Sequence, residues 1–202
     1  MSQSTIWAQS LTDFATATAS SSPVPGGGSV VMVSATLGIS LVAMALQISK
    51  AKAEDQAPYD ALLATIADLS TAMQRAADQD IAAFSSYMAA LQMPRDSEAD
   101  KLARKARLLE VAIESTRTPL AGARLCLEGL KAAELAHGLS TKHLVSDVKA
   151  GAHLLVASLS AVLLNVDANL GSLDPANRDR FGTERTQLEA EGRAQFLKVI
   201  PG

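Results

Sequence analysis

Apolar residues recur at three- and four-residue steps along most of the chain, and strand-like alternation is hard to find anywhere, so the pattern predicts helices throughout. The first, over residues 3–20, is short and amphipathic; it carries Ile6, Trp7, Leu11 and Phe14 and ends at Ser20–Ser22 and Pro23. The second differs in kind. From Ser29, a good N-cap residue, the chain stays free of charge until Lys50, roughly 20 residues and about 30 Å of helix. Pro23 and Pro25 prevent an earlier start. Gly26, Gly27 and Gly28 leave a backbone that a ligand or another chain can approach closely. Lys50 and Lys52 close the helix with charges suited to its C-terminus.

A stretch this long and uncharged meets the length threshold for a membrane span. Ser34, Thr36, Gly38, Ser40 and Gln47 interrupt its apolar surface on several sides, however, and neither end has an aromatic belt. The pattern predicts a buried core helix instead. A third helix starts near Pro58 and ends at Pro94, with Leu62, Ile66, Met73, Ala77 and Phe84 on one stripe. A fourth, capped by Asp96 or Ser97, runs to about His137, with a kink or break expected at Pro119. The fifth, about 143–170, is apolar nearly all round and reads as a second buried pillar. Asp174–Pro175 caps a charged last helix over about 176–198. No linker or repeat divides residues 1–202. The expected fold is all-α: a single domain forming one up-and-down helical bundle, with two buried apolar helices wrapped by amphipathic ones.

Composition narrows the partners. A formal charge of −3 and dispersed basic residues give no reason to expect nucleic acid. With 3% aromatic residues and abundant alanine, thin and closely packed helices are favoured. The single cysteine, Cys126, excludes an internal disulfide and a cysteine-cluster metal site. Asp13 in an otherwise uncharged N-terminus, without a basic segment, argues against a secretory signal. A cytoplasmic protein, not a membrane one, is expected.

Two helices carry candidate chemistry. Asp80 completes the apolar stripe between Ala77 and Phe84. A carboxylate placed there must be paired, hydrogen-bonded or protonated, either to act as a general acid or base or purely for packing. Asp78 lies off that stripe, where solvation is expected. On the fifth helix, Asp147, Gly151, Ser158, Asn165 and Asn169 follow one face. Asp147 and Asn165 are 18 positions apart, about 27 Å along a straight helix, so one small group cannot touch both within a chain. Either Asn165 and Asn169 hold the far end of a long ligand, or a partner subunit joins the two ends, or the asparagines form an interhelical hydrogen-bond ladder. The three glycines could cradle an anion at a helix N-terminus but lack the Lys-Ser/Thr of a phosphate loop. Lys50 and Lys52 could clamp carboxylates. His137, His143 and His153 show no paired ligand spacing, and His153 is expected to face the bundle.

Taken in order, PVPGGGSV, Leu37–Gly38, Lys50, DQDIAAF at 78–84, MPR at 93–95, Pro119–Leu120, Ser146–Asp147 and NVDANL at 165–170 resemble the cyclodeaminase/cyclohydrolase family of folate enzymes over about residues 10–172. That family includes the C-terminal domain of formiminotransferase-cyclodeaminase and stand-alone bacterial methenyltetrahydrofolate cyclohydrolases. The resemblance implies a dimerising helical bundle that binds a tetrahydrofolate derivative in a cleft near the interface. It also implies ammonia release from 5-formiminotetrahydrofolate or hydrolysis of the 5,10-methenyl bridge, as substrate chemistry with no metal or other cofactor. On that basis Asp80 and Asp147 are the expected catalytic groups. Ser146, Asn165 and Asn169 would hold the pterin, and Lys50 and Lys52 the glutamate tail. Gly26, Gly27, Gly28 and Ser29 would allow close approach. The sequence departs from the family pattern at Gln47 and Ser49, where Thr and Gly are usual, and at Ser140–Thr141, where Gly-Asn is usual. The rival expectation is therefore a catalytically silent folate-binding or assembly paralogue.

Overall fold

The computed structural model describes residues 5–201, among which there are six α-helices, one short 3-10 turn (Ile6–Ala8) and no strand. The helices are α1 (Leu11–Thr18), α2 (Gly27–Lys50), α3 (Ala57–Leu91), α4 (Glu98–Leu139), α5 (Val145–Leu170) and α6 (Pro175–Val199). α2 packs on α3 and α5, α4 packs on the same two, and α6 covers the outer side of α4 and α5. Ser29 meets Asp80 while Lys50 meets Asp60, so α2 and α3 run in opposite directions. Tyr59 with Leu139, Asn169 with Ser115 and Asp167 with Arg185 give the same antiparallel sense to the next pairs.

The helices start where local chemistry allows. Ser97 and Asp100 form a reciprocal capping box on α4, and Asp174 caps α6 ahead of Pro175. α2 is the exception. It begins at Gly27, two residues before the expected cap, and Gly26 offers no side chain to its first turn. Ser29 already lies inside the helix and is buried. The core is built from Ile39, Leu46, Met73, Leu130, Leu155 and Leu163, all fully buried; each contributes about 1.5–3 kcal/mol of transfer free energy. α2 and α5 approach backbone to backbone. A Cβ on Gly151 would lie 2.6 Å from the Gly38 carbonyl oxygen, so only a glycine there lets the two backbones touch.

Three expectations are corrected. The N-terminal segment is not one helix: beyond residues 1–4, which lie outside the described residues, a 3-10 turn and the short α1 are separated by Ser10, the α1 cap. Asp78 is not merely solvated, because its carboxylate accepts from the Thr5 hydroxyl (2.6 Å) and the Ile6 N–H (3.0 Å), tying the N-terminus to α3. His153 is exposed and sits edge-on against Phe196. Of the kink or break expected at Pro119, the break does not occur, because α4 is continuous through it.

The two apolar helices are long and apolar enough to cross a membrane by composition, and 56% and 44% of their apolar windows are buried in the fold. Neither is covered all round. Leu37, Met44 and Ile48 on α2 and Leu164 on α5 are exposed, since in a ring of four helices each keeps one outward side.

Candidate functional site

α3 and α4 run on past the point where α2 begins and α5 ends. That step leaves a cavity of about 330 Å³ bounded by Val24, Gly28, Asp80, Phe84, Ser115 and Asn165, within the size range of small-molecule sites. Pro23, Val24 and Gly26, beside the cis Val24–Pro25 peptide, form its rim.

Asp80 is held by one oxygen. Its Oδ2 accepts from the Ser29 N–H at 2.9 Å and lies 2.9 Å from the Ser29 hydroxyl, which also reaches the Ala77 carbonyl at 3.1 Å. The donor is one of the unpaired N–H groups of the α2 first turn, so a helix N-terminus and a hydroxyl together stabilise the carboxylate. Oδ1 points over Gly28. A Cβ on Gly28 would stand 2.1 Å from that oxygen and 2.8 Å from Asn165 Nδ2. Gly28 is required here for close approach, and the two polar atoms converge on the space its side chain would fill.

Asn169 has a role set by Pro119. Proline has no N–H, so the carbonyl four residues earlier, that of Ser115, loses its helical donor. Asn169 Nδ2 donates to that carbonyl at 2.8 Å. The amide thereby closes a gap in the α4 ladder, which turns the hydrogen-bond-ladder alternative into a specific contact. Ser115 Oγ, on the same residue, is buried without a partner at the cavity wall.

The expected site residues therefore fall into two groups. Gly26, Gly27, Gly28, Asp80, Asn165 and Asn169 line this cavity, with Ser29 behind Asp80. Lys50, Lys52, Ser146 and Asp147 lie at the other end of α2 and α5. Lys50 is ion-paired with Asp60, Lys52 is exposed, and Asp147 sits in the first turn of α5. The departures at Ser49 and Thr141 meet at that end, where Ser49 Oγ accepts the Thr141 N–H at 2.9 Å and fixes the turn leading to Ser146 and Asp147. Sequence reasoning missed Tyr87, Ser115 and Thr118 in the cavity wall. Tyr87 follows Asp80 by seven positions, two helical turns, and was legible as a neighbour on the same face. Nothing marked Ser115 except its spacing of four before Pro119.

A family profile described as Formiminotransferase-cyclodeaminase matches residues 10–187. A methenyltetrahydrofolate cyclohydrolase of Methylorubrum extorquens is 32% identical over 177 residues, covering 86% of this chain and 83% of the relative. A formimidoyltransferase-cyclodeaminase of Gallus gallus is 31% identical over 183 residues, covering 87% of this chain; the match spans 32% of that longer protein. The crystal structure of a formiminotetrahydrofolate cyclodeaminase from Thermotoga maritima superposes with a TM-score of 0.85 at 22% identity, over 96% of this chain and 95% of that one, which establishes the shared fold. With a profile match across most of its length and relatives above 30% identity, the chain belongs to the formiminotransferase-cyclodeaminase family.

Proposed function

We propose that this protein hydrolyses the 5,10-methenyl bridge of tetrahydrofolate to give 10-formyltetrahydrofolate. The observation that carries the reading is the convergence of Asp80 Oδ1 and Asn165 Nδ2 over Gly28 at the cavity. The 32% identity to a stand-alone cyclohydrolase, with more than four-fifths of both chains aligned, favours hydrolysis over ammonia release.

The methenyl bridge is a delocalised cation across two nitrogens, so a carboxylate beside it stabilises binding. Water adds its oxygen to the bridge carbon while Asp80 takes one of its protons. The carbon–N5 bond then breaks, N5 is protonated, and the carbonyl of the N10-formyl group forms, with net release of one proton. Asp80 suits this shuttle because Ser29 fixes Oδ2 and leaves Oδ1 for the reacting water. Asn165 Nδ2 would hold the oxygen as charge develops on it.

A homodimer completes the reading. The bare strip of Leu37, Met44 and Ile48 is suited to a second copy, and an isologous, antiparallel pairing would bring one subunit's Asp147 end toward the other's Asn165 end. The two long apolar helices then act as packing surfaces rather than membrane spans. In this reading tetrahydrofolate derivatives are substrates, and neither a metal nor a redox group takes part.

Purified protein should be offered 5,10-methenyltetrahydrofolate and 5-formiminotetrahydrofolate separately and followed by absorbance. Decay of the methenyl chromophore above the buffer rate supports the hydrolase. Growth of that chromophore from the formimino compound would move the assignment to ammonia release, and no change in either would remove the enzymatic reading. Asp80→Asn, which keeps an acceptor for Ser29, should lower kcat by about 10²–10⁴-fold while remaining folded.

A further inference from the structure

The stripe of α3 that carries Asp80 continues through Phe84 and Tyr87 to Leu91, at steps of four, three and four residues. Tyr87 lines the site cavity and also a second, solvent-open one of about 730 Å³, bordered by the α3–α4 turn, the start of α4 and the α5–α6 turn. In it Arg104 is half-buried, and Arg95, Lys101 and Lys105 are exposed. The wall of this second cavity holds Arg95, Lys101, Arg104 and Lys105 against a single carboxylate, Asp174. That carboxylate is committed elsewhere, since it caps α6 through Asn177.

The cations are incompletely matched. Arg104 donates through one terminal nitrogen to the Leu91 carbonyl at 3.1 Å, which orients its guanidinium, and its enclosed Nε has no acceptor. Lys101 is paired only with Glu98, through an exposed contact at 2.6 Å. Among the described residues Lys105 and Arg95 have no ion-pair partner. Like charges gathered on one wall repel, and an anionic ligand relieves that repulsion.

We infer that this second cavity receives the carboxylates of the substrate's glutamyl tail, with Arg104 and Lys105 as its principal cations and Tyr87 as the bridge for the aromatic ring between bridge and tail. The inference rests on the folate reading above and relocates the tail from Lys50 and Lys52. From Asp80 to Leu91 is about 16 Å along α3, a span that an aminobenzoyl-glutamate arm can follow beside Phe84 and Tyr87. Within one subunit Lys50 and Lys52 lie at the opposite end of α2. In either subunit of a dimer Lys50 already holds Asp60, whereas Lys105 has no ion-pair partner among the described residues.

The test uses Arg104→Gln, Lys105→Gln and, for comparison, Lys50→Gln. The exposed Lys105 side chain makes no hydrogen bond or ion pair among the described residues, so its variant keeps the fold even if the Arg104 variant loosens the hairpin; melting curves check both. Two readouts run in parallel: KM for 5,10-methenyltetrahydrofolate against its pteroate analogue lacking glutamate, and calorimetric binding of 4-aminobenzoyl-glutamate alone. The expected result is a rise of about tenfold or more in KM and in Kd for each α4 variant, the scale of one charged hydrogen bond. The pteroate analogue should show no such change. Wild-type KM and Kd in both α4 variants, or a loss confined to Lys50→Gln, would overturn the inference. Turnover with unchanged α4 variants would leave the hydrolase standing alone. Arg104-dependent binding of the aminobenzoyl-glutamate probe without turnover would retain the tail site and reject the hydrolase.

Discussion

Replacing Asn169 by alanine should expose what Pro119 costs α4. The Ser115 carbonyl has no helical donor because residue 119 is proline, and Asn169 Nδ2 supplies the missing bond at 2.8 Å. An orphaned acceptor costs about 1–3 kcal/mol. Ser115 borders the cavity, so water can take over part of the bond, which places Asn169→Ala near the lower end, about 1–2 kcal/mol. In a Pro119→Ala background the alanine N–H restores the helical bond, and Asn169→Ala should then cost only about 0.5 kcal/mol or less. The coupling between the two sites is therefore about 1 kcal/mol. Urea unfolding of the four proteins in the cycle measures it directly, and the effect of Pro119→Ala on its own packing cancels. A melting shift of about 2–4 °C per kcal/mol is expected for a chain of this length. If the two substitutions add to within about 0.3 kcal/mol, the amide does not repair the proline gap.

Other tests read different parts of the molecule. Gly28→Ala should force Asp80 off its position, since the new Cβ would stand 2.1 Å from Oδ1, and lower kcat by about a hundredfold or more; wild-type turnover would remove the convergence over Gly28 from the mechanism. Mixing inactive Asp80→Asn and Asp147→Asn proteins after denaturation and refolding should restore part of the activity, because a mixed dimer regains one intact composite site; no recovery would show that Asp80 and Asp147 do not share a composite site. Burial pushes the Cys126 thiol up to about 12, so a thiol reagent at neutral pH should label the protein only on unfolding; rapid labelling of native protein would contradict the packing. Asn177 holds the Asp174 carboxyl below the usual carboxylate range. Its contribution to stability is complete above the unfolded value of about 3.9 and declines as pH falls through the folded one. Melts between pH 5 and pH 2, roughly the range over which carboxylates protonate, should show a shallower decline for Asp174→Ala than for wild type.

Much of the fold was legible because helical periodicity and cap chemistry are local. Pro58, Ser97, Asp174 and Pro175 mark helix starts, and the structure begins helices beside each of them. The site was legible only in part. Asp80 stands out on an apolar stripe, yet its partner Ser29 reads from sequence as a cap, because the pattern cannot show that α2 begins two residues earlier at a glycine. Asp78 was misread for a related reason. Its partners, Thr5 and the Ile6 N–H, are more than 70 positions away and belong to a segment whose helical pattern gives no hint of a turn. Asn169 carries a polar signal whose meaning depends on a proline on another helix. Arg104 and Lys105 look like ordinary surface cations until the α5–α6 turn is folded against them.

The location of both cavities follows from unequal helix lengths. α2 and α5, with 24 and 26 residues, are about 36 and 39 Å long, whereas α3 and α4, with 35 and 42, reach about 52 and 63 Å. Four antiparallel helices of equal length would pair their ends and close the bundle. Here the α3–α4 hairpin outruns its neighbours, so the first turn of α2 opens sideways onto α3 rather than into solvent. Its N–H groups meet Asp80 because no side chain at residue 28 intervenes. Lengthening α2 toward Pro23 would fill the step, but Pro23, Pro25 and the glycine at its start prevent it. The feature that delays the start of the helix is thus the one that opens the cavity, and the overhanging hairpin supplies the remaining wall.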